Sequence, residues 1–167
     1  KAAINGCRQA IGETERDIVL IAQVTVETTG TMLLGSEIGA ALNTLEPMGI
    51  DLIGLNCATG PTEMSEHLRY LSKNAKVAIS VMPNAGLPVL GANGASYPLG
   101  PNELAVALEG FVDDYGISLV GGCCGTTPEH LSAVVNKVSG KPISMRTPDL
   151  DPGASSLYQY VPFRQDK

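Results

Sequence analysis

The sequence predicts an α/β fold with a single parallel sheet, built from four βα units behind a leading helix. Three observations carry this reading. Short apolar runs rich in Val and Ile alternate with longer segments of helical periodicity. The short runs are apolar on both faces, as strands covered by helices on both sides are. Helix-starting and helix-stopping residues stand at most of the junctions.

Each element has its own justification. Residues 1–15 are expected to be helical, with Ala3, Ile4, Cys7 and Ile11 on one stripe and Cys7 filling the core. Residues 18–26 are short, β-branched and apolar, which suits a strand. Ser36 can cap a helix over 37–48 that ends at Met48-Gly49. A second strand covers 50–55. Pro61 suits the first turn of a helix over 61–74, with Glu63 and Glu66 near its start and Lys73 and Lys76 near its end. A third strand covers 77–82. Asn102 can cap a helix over 103–115 that Gly116 ends, and a fourth strand covers 117–120. Thr127 then caps, and Pro128 starts, a helix over 128–138. Residues 83–101 form a long Gly/Pro-rich loop, a kind that is uncommon unless functional. Residues 139–167, with Pro142, Pro148, Pro152 and Pro162, read as an extended linker leaving the domain.

Four βα units make half of a TIM-type (β/α)8 barrel, whose complete form takes about 250 residues. The first helix has no strand before it, and the outer strands would be bare parallel edges that invite pairing. The chain therefore reads as part of a larger barrel, or as one that needs a partner half. Right-handed crossovers bring the C-terminal ends of all strands to one side. Gln23 and Thr25, Asn56 and Cys57, Pro83 and Asn84, and Cys123 and Cys124 are expected to meet there.

Composition narrows the function. Of the 167 residues, 44% are hydrophobic and 17% charged, and the net charge of −6 argues against nucleic acid or an anionic membrane surface as partner. The most apolar run is too short to span a bilayer, and the first residues lack the apolar core of a signal peptide. Four cysteines in a chain of this size and class read as reduced thiols in a cytoplasmic protein.

Cys57 ends the second strand, and Cys123 and Cys124 follow the fourth inside Gly121-Gly122-Cys123-Cys124-Gly125. Cys57 alone would read as core packing. Two neighbouring thiols in a glycine-rich turn at a sheet's carboxyl end read as a site. Strands 2 and 4 are separated by one strand, roughly 9–10 Å, a gap converging side chains can close. Zinc takes thiolates in tetrahedral geometry, and three protein ligands with one open position is its usual catalytic arrangement. Three thiolates leave the centre electron-rich, better suited to activating a thiol substrate for alkyl transfer than to polarising water. A structural zinc is the other reading. His67 and His130 lie inside predicted helices and read as surface or capping residues. No G-x-G-x-x-G, Walker or C-x-x-C pattern is present.

Three segments, Gly54-Leu55-Asn56-Cys57-Ala58-Thr59-Gly60-Pro61, Pro83-Asn84-Ala85-Gly86-Leu87-Pro88 and Gly121-Gly122-Cys123-Cys124-Gly125-Thr126-Thr127-Pro128-Glu129-His130, resemble the homocysteine S-methyltransferase family. The resemblance covers residues 1–140 and implies the second half of the family's homocysteine-binding barrel. It implies zinc held by Cys57, Cys123 and Cys124, with Asn84 as an exchangeable fourth ligand that yields to homocysteine sulfur. The tail, Pro152-Gly153-Ala154-Ser155-Ser156-Leu157-Tyr158 and Val161-Pro162-Phe163-Arg164-Gln165, is similar to the link into a folate-binding domain in the cobalamin-dependent members. On that likeness residues 141–167 lead toward a missing folate-binding domain. The intact enzyme would transfer a methyl group from methylcobalamin, bound on other domains, to zinc-activated homocysteine thiolate, giving methionine. The present segment alone is expected to be inactive without its N-terminal half-barrel. The alternatives are an inactive zinc-binding assembly module, or a family member using betaine or S-methylmethionine.

Overall fold

Four short parallel strands, each followed by a helix, set the frame. A computed structural model describes residues 1–92 and 94–163. Asn93 of the long loop and Arg164 and Gln165 of the tail motif lie outside the described residues. The elements run α1 (Ala2–Gly12), β1 (Ile21–Val24), α2 (Ile38–Leu45) with a 3-10 turn (Glu46–Met48), β2 (Leu52–Asn56), α3 (Pro61–Asn74), β3 (Ala78–Met82), β4 (Val89–Gly91), β5 (Gly94–Ser96), α4 (Pro101–Tyr115), β6 (Leu119–Val120), α5 (Pro128–Val138), β7 (Gly153–Ser155) and β8 (Tyr160–Pro162). The main sheet has the order β1-β2-β3-β6 and is parallel throughout. This is the α/β architecture expected, and its sequential strand order is compatible with part of an α/β barrel.

The core lies between this sheet and its helices. Ile53, Leu55, Ile79 and Val81 from the strands meet Leu42, Leu68, Leu71, Leu104 and Leu108 from the helices, and each is at most 1% exposed. The helical residues recur three and four apart, which places them on one face. Helices α3 and α4 start at Pro61 and Pro101, where a missing N–H costs nothing. In each, the glutamate of the third helical position accepts the cap residue's N–H: Gly60 to Glu63 at 3.1 Å and Gly100 to Glu103 at 2.8 Å.

Several expectations are corrected. Cys7 does not fill the core; it is exposed, as α1 buries no residue fully. That helix meets the body through half-buried Ile4 and through Arg8, whose guanidinium donates to the Met48 and Gly49 carbonyls. Ser36 does not cap α2. Glu37 takes the cap position, and the Ser36 hydroxyl donates to Leu157 O at 2.6 Å. Asn102 lies inside α4, because the glycine-proline pair before it already supplies the start.

Two irregular segments contain structure the sequence patterns do not show. Residues 89–96 include the antiparallel hairpin β4–β5. In the tail, β7 and β8 pair and lie on α2, with Asn43 Nδ2 donating to Ser155 Oγ at 2.9 Å and Glu37 N–H to Tyr158 O at 2.8 Å. Further back, Arg146 donates to the Ala75 and Val77 carbonyls just past the end of α3. The segment read as an extended linker thus folds back over the helices.

The register of β2 on β3 depends on Gly54, which faces Ser80. A Cβ there would overlap the Ser80 hydroxyl and stand 2.5 Å from its carbonyl oxygen. Gly54→Ala is expected to destabilise the fold by about 1–3 kcal/mol through overpacking. Urea unfolding followed by circular dichroism measures this, and an unshifted midpoint would contradict it.

Candidate metal centre

The C-terminal end of β3 organises the site. Backbone pairing continues past the ends of the strands: Cys57 N–H donates to Met82 O at 3.1 Å, and Cys123 N–H donates to Pro83 O at 2.8 Å. Two consecutive carbonyls of one segment therefore hold the thiol-bearing loops of both neighbouring strands. Pro83 has no N–H to continue a ladder, so the chain can leave the sheet there.

Each loop then turns sharply. Cys57 and Ala58 have φ of 59° and 57°, and they are the only non-glycine residues in the left-handed region among those described. Such conformations cost on the order of 1–2 kcal/mol each and persist where the surroundings fix them. Thr59, 2% exposed, donates its N–H to Cys57 O at 2.7 Å, and its carbonyl accepts Asn84 N–H at 3.0 Å, which secures the turn. After β6 the glycines serve different ends. Gly125 has φ 77° and makes the reversal, whereas a Cβ on Gly122 would overlap the Thr126 side chain.

These turns bring Cys57, Cys123 and Cys124 together, with their sulfur atoms all within 4.8 Å of one another. Cys57 Sγ is 3.7 Å from Cys124 Sγ, and Cys123 Sγ is 4.0 Å from Cys124 Sγ. Tetrahedral zinc with Zn–S bonds of about 2.3 Å needs sulfurs about 3.8 Å apart. Two of the three sulfur pairs stand close to that spacing, and the third lies within 4.8 Å. None of the three is joined in a disulfide.

Crowding divides the thiols electrostatically. Cys123 is pushed up to about 11, first by burial and then by hydrogen bonding to Cys57 and Cys124. Cys124, the exposed member, is lowered by its hydrogen bonds to Cys57, Tyr97 and Cys123. Tyr97 is raised in turn, first by its contact with the Cys124 thiol. Its ring lies over Gly125, where a Cβ would overlap it. Nothing in the spacing of Tyr97 marks it beforehand; it reaches the thiols only because the 83–101 loop doubles back.

Asn84 is 3% exposed and beside the cluster, with its Oδ1 accepting Cys124 N–H at 3.1 Å. One of its two oxygen lone pairs is thus engaged in shaping the Cys124 loop. Of the strand-end residues expected at this face, Thr25 donates to Asn56 Oδ1 at 3.2 Å. Gln23 sits deeper in the sheet and donates to Ser80 Oγ. His130 is no ligand: it caps α5, its Nδ1 accepting Thr127 N–H at 3.2 Å. His67, on α3, is not part of the cluster.

The family model for homocysteine S-methyltransferase matches residues 1–138, which is most of the chain and includes all three thiols and Asn84. The chain belongs to the homocysteine S-methyltransferase family. Its similarity to individual members runs further along the sequence. It is 61% identical over 166 residues to a methionine synthase of Mycobacterium tuberculosis and 60% identical over 170 residues to one of Mycobacterium leprae. Each match takes in 99% of this chain and so includes the tail beyond residue 138. The chain spans 14% of the length of these relatives.

Two outcomes follow for this family member. Cys123→Ala removes one corner of the cluster and is expected to abolish stoichiometric zinc binding, measured by metal analysis after gel filtration of the intact protein. Full retention of zinc would contradict the ligand set. Metal uptake must also displace the Cys123 proton, which an unliganded thiol with a pKa of about 11 keeps throughout the neutral range. Zinc affinity is therefore expected to fall at least about tenfold per unit as pH is lowered from about 8 to about 6. Competition with a chromogenic chelator reads this, and a flat profile would contradict it.

Proposed function

We propose that residues 1–140 are the thiol-bearing half of a homocysteine-binding (β/α)8 barrel, and that residues 141–167 lead toward a folate-binding domain. In the intact protein this barrel accepts a methyl group onto homocysteine sulfur from methylcobalamin carried on another domain, giving methionine. The observation that carries the reading is the set of three thiols clustered within 4.8 Å on the carboxyl edge of a parallel sheet. Family membership and the likeness to two methionine synthases along the whole chain support it. The exposed apolar residues Ile18, Val19 and Ile21, in and just before edge strand β1, support pairing with an N-terminal half-barrel.

On this reading each residue of the cluster has its own role. Cys57, Cys123 and Cys124 would hold zinc. Bound there, zinc supplies a lowered pKa to the substrate thiol while the thiolate donors keep that sulfur nucleophilic. Asn84 offers the exchangeable fourth donor through the lone pair that Cys124 N–H leaves free. Cys124 stands at the solvent side, where a thiol substrate arrives, and Cys57 and Cys123 are set deeper. On transfer the sulfur's electron pair would form the new carbon–sulfur bond, the donor–methyl bond would break with its pair left on the donor, and the thiol proton would leave to solvent.

Zinc-loaded full-length protein given methyl-labelled methylcobalamin and homocysteine is expected to release labelled methionine, and Cys123→Ala is expected to abolish it. Transfer from betaine or S-methylmethionine, with none from methylcobalamin, would reassign the donor. No transfer from any of the three would leave a zinc-binding assembly module.

A further inference from the structure

His130 is buried, 8% exposed, and takes no part in the chemistry described above. Both of its ring nitrogens are engaged. Nδ1 accepts Thr127 N–H at 3.2 Å and lies 2.9 Å from Thr127 Oγ1, while Nε2 lies 2.9 Å from Leu99 O. A backbone N–H can only donate and a backbone carbonyl can only accept. Nδ1 must therefore be bare and Nε2 must carry the hydrogen. Thr127 Oγ1 is also 2.6 Å from Glu129 Oε2, so its one hydrogen is shared between that carboxylate and the bare Nδ1.

The Leu99 contact joins two loops that are distant in sequence. Leu99 N–H donates to Ala85 O at 2.9 Å, and Ala85 N–H donates to Cys124 O at 2.9 Å. Starting from Cys124, the bonds run through Ala85, Leu99 and His130 to Thr127, and the chain itself returns from Thr127 to Cys124. The circuit is closed. Asn84 stands one residue before Ala85, and Tyr97 two residues before Leu99. The strands of the β4–β5 hairpin that precedes Tyr97 are exposed, so the loop end is held through its own bonds, of which the Leu99–His130 contact is one.

We propose that His130 is a positioning residue of the thiol site, whose Nε2–H clasps the Tyr97–Leu99 segment onto the loop carrying Cys123 and Cys124. The clasp acts through backbone: it fixes the carbonyl of Cys124 by way of Ala85, and it keeps the Tyr97 ring over Gly125. A capping histidine alone would need only the Thr127 contact. The bond to Leu99 is the part that capping does not explain.

This inference rests on the metal-binding reading given under Proposed function, and a pair of substitutions isolates the clasp. Glutamate is a good capping residue at the third helical position but cannot donate to Leu99 O. Glutamine can accept from Thr127 and donate to Leu99, with its two terminal atoms spaced like the two ring nitrogens. In zinc-loaded full-length protein, His130→Glu is expected to speed zinc release to a chelator roughly three- to tenfold, the factor one hydrogen bond carries. His130→Gln is expected to stay close to the parent rate. Nitrogen-15 spectra of the histidine ring in the parent protein should show the Nε2–H form. A release rate for His130→Glu equal to the parent, or a ring protonated at Nδ1, would overturn the clasp. Failure of the parent protein to bind zinc would instead overturn the metal reading, so the two failures are told apart.

Discussion

Much of the site depends on two adjacent carbonyl groups, those of Met82 and Pro83. They accept the N–H groups of Cys57 and Cys123 and so fix the two thiol loops relative to one another. The two strands involved are not neighbours; β3 lies between them, and its end is the common reference. Burial makes this reference rigid. Ile79, Ser80 and Val81 are wholly inaccessible to solvent, so the segment that sets the thiols is among the least free to move. Positional accuracy at the surface is in this way inherited from the core.

The arrangement also explains why two such different loops converge. The Cys57 loop departs through two left-handed residues, neither of them glycine, while the Cys124 loop turns through Gly125. The first tolerates strain because Thr59 and Asn84 bracket it with backbone bonds. The second avoids strain and uses the space opened by Gly122 and Gly125 for Thr126 and Tyr97. Asn84 serves both loops, its N–H bonding to Thr59 O and its side-chain oxygen to Cys124 N–H.

How much of this was legible beforehand follows from range. The βα order, the starts of α3 and α5 at Pro61 and Pro128, and the end of α4 at Gly116 are written in local chemistry and could be read directly. The gathering of Cys57, Cys123 and Cys124 followed from topology, because a parallel sheet delivers every strand end to one edge. What could not be read were contacts made across long loops. Ser36 has all the features of a cap, yet the tail takes its hydroxyl. Cys7 has the right period for a core position, but the leading helix lies too far out to bury it. The left-handed pair at Cys57 and Ala58 has no signal at all, since neither residue favours that conformation and only the tertiary bonds impose it.

The strained turn at Cys57 and Ala58 bears on which ion the cluster would accept. Divalent ions that bind thiolates differ in bond length, and a larger one must spread the three sulfurs apart. Cys57 cannot move outward without altering a backbone already at the edge of what its residues allow, and Cys123 is tied to Pro83. With both ends tied, the three thiols have little freedom to spread. Softness of the donors alone would admit several metals; a stiff backbone behind them would add a preference for ions whose bonds fit the existing frame.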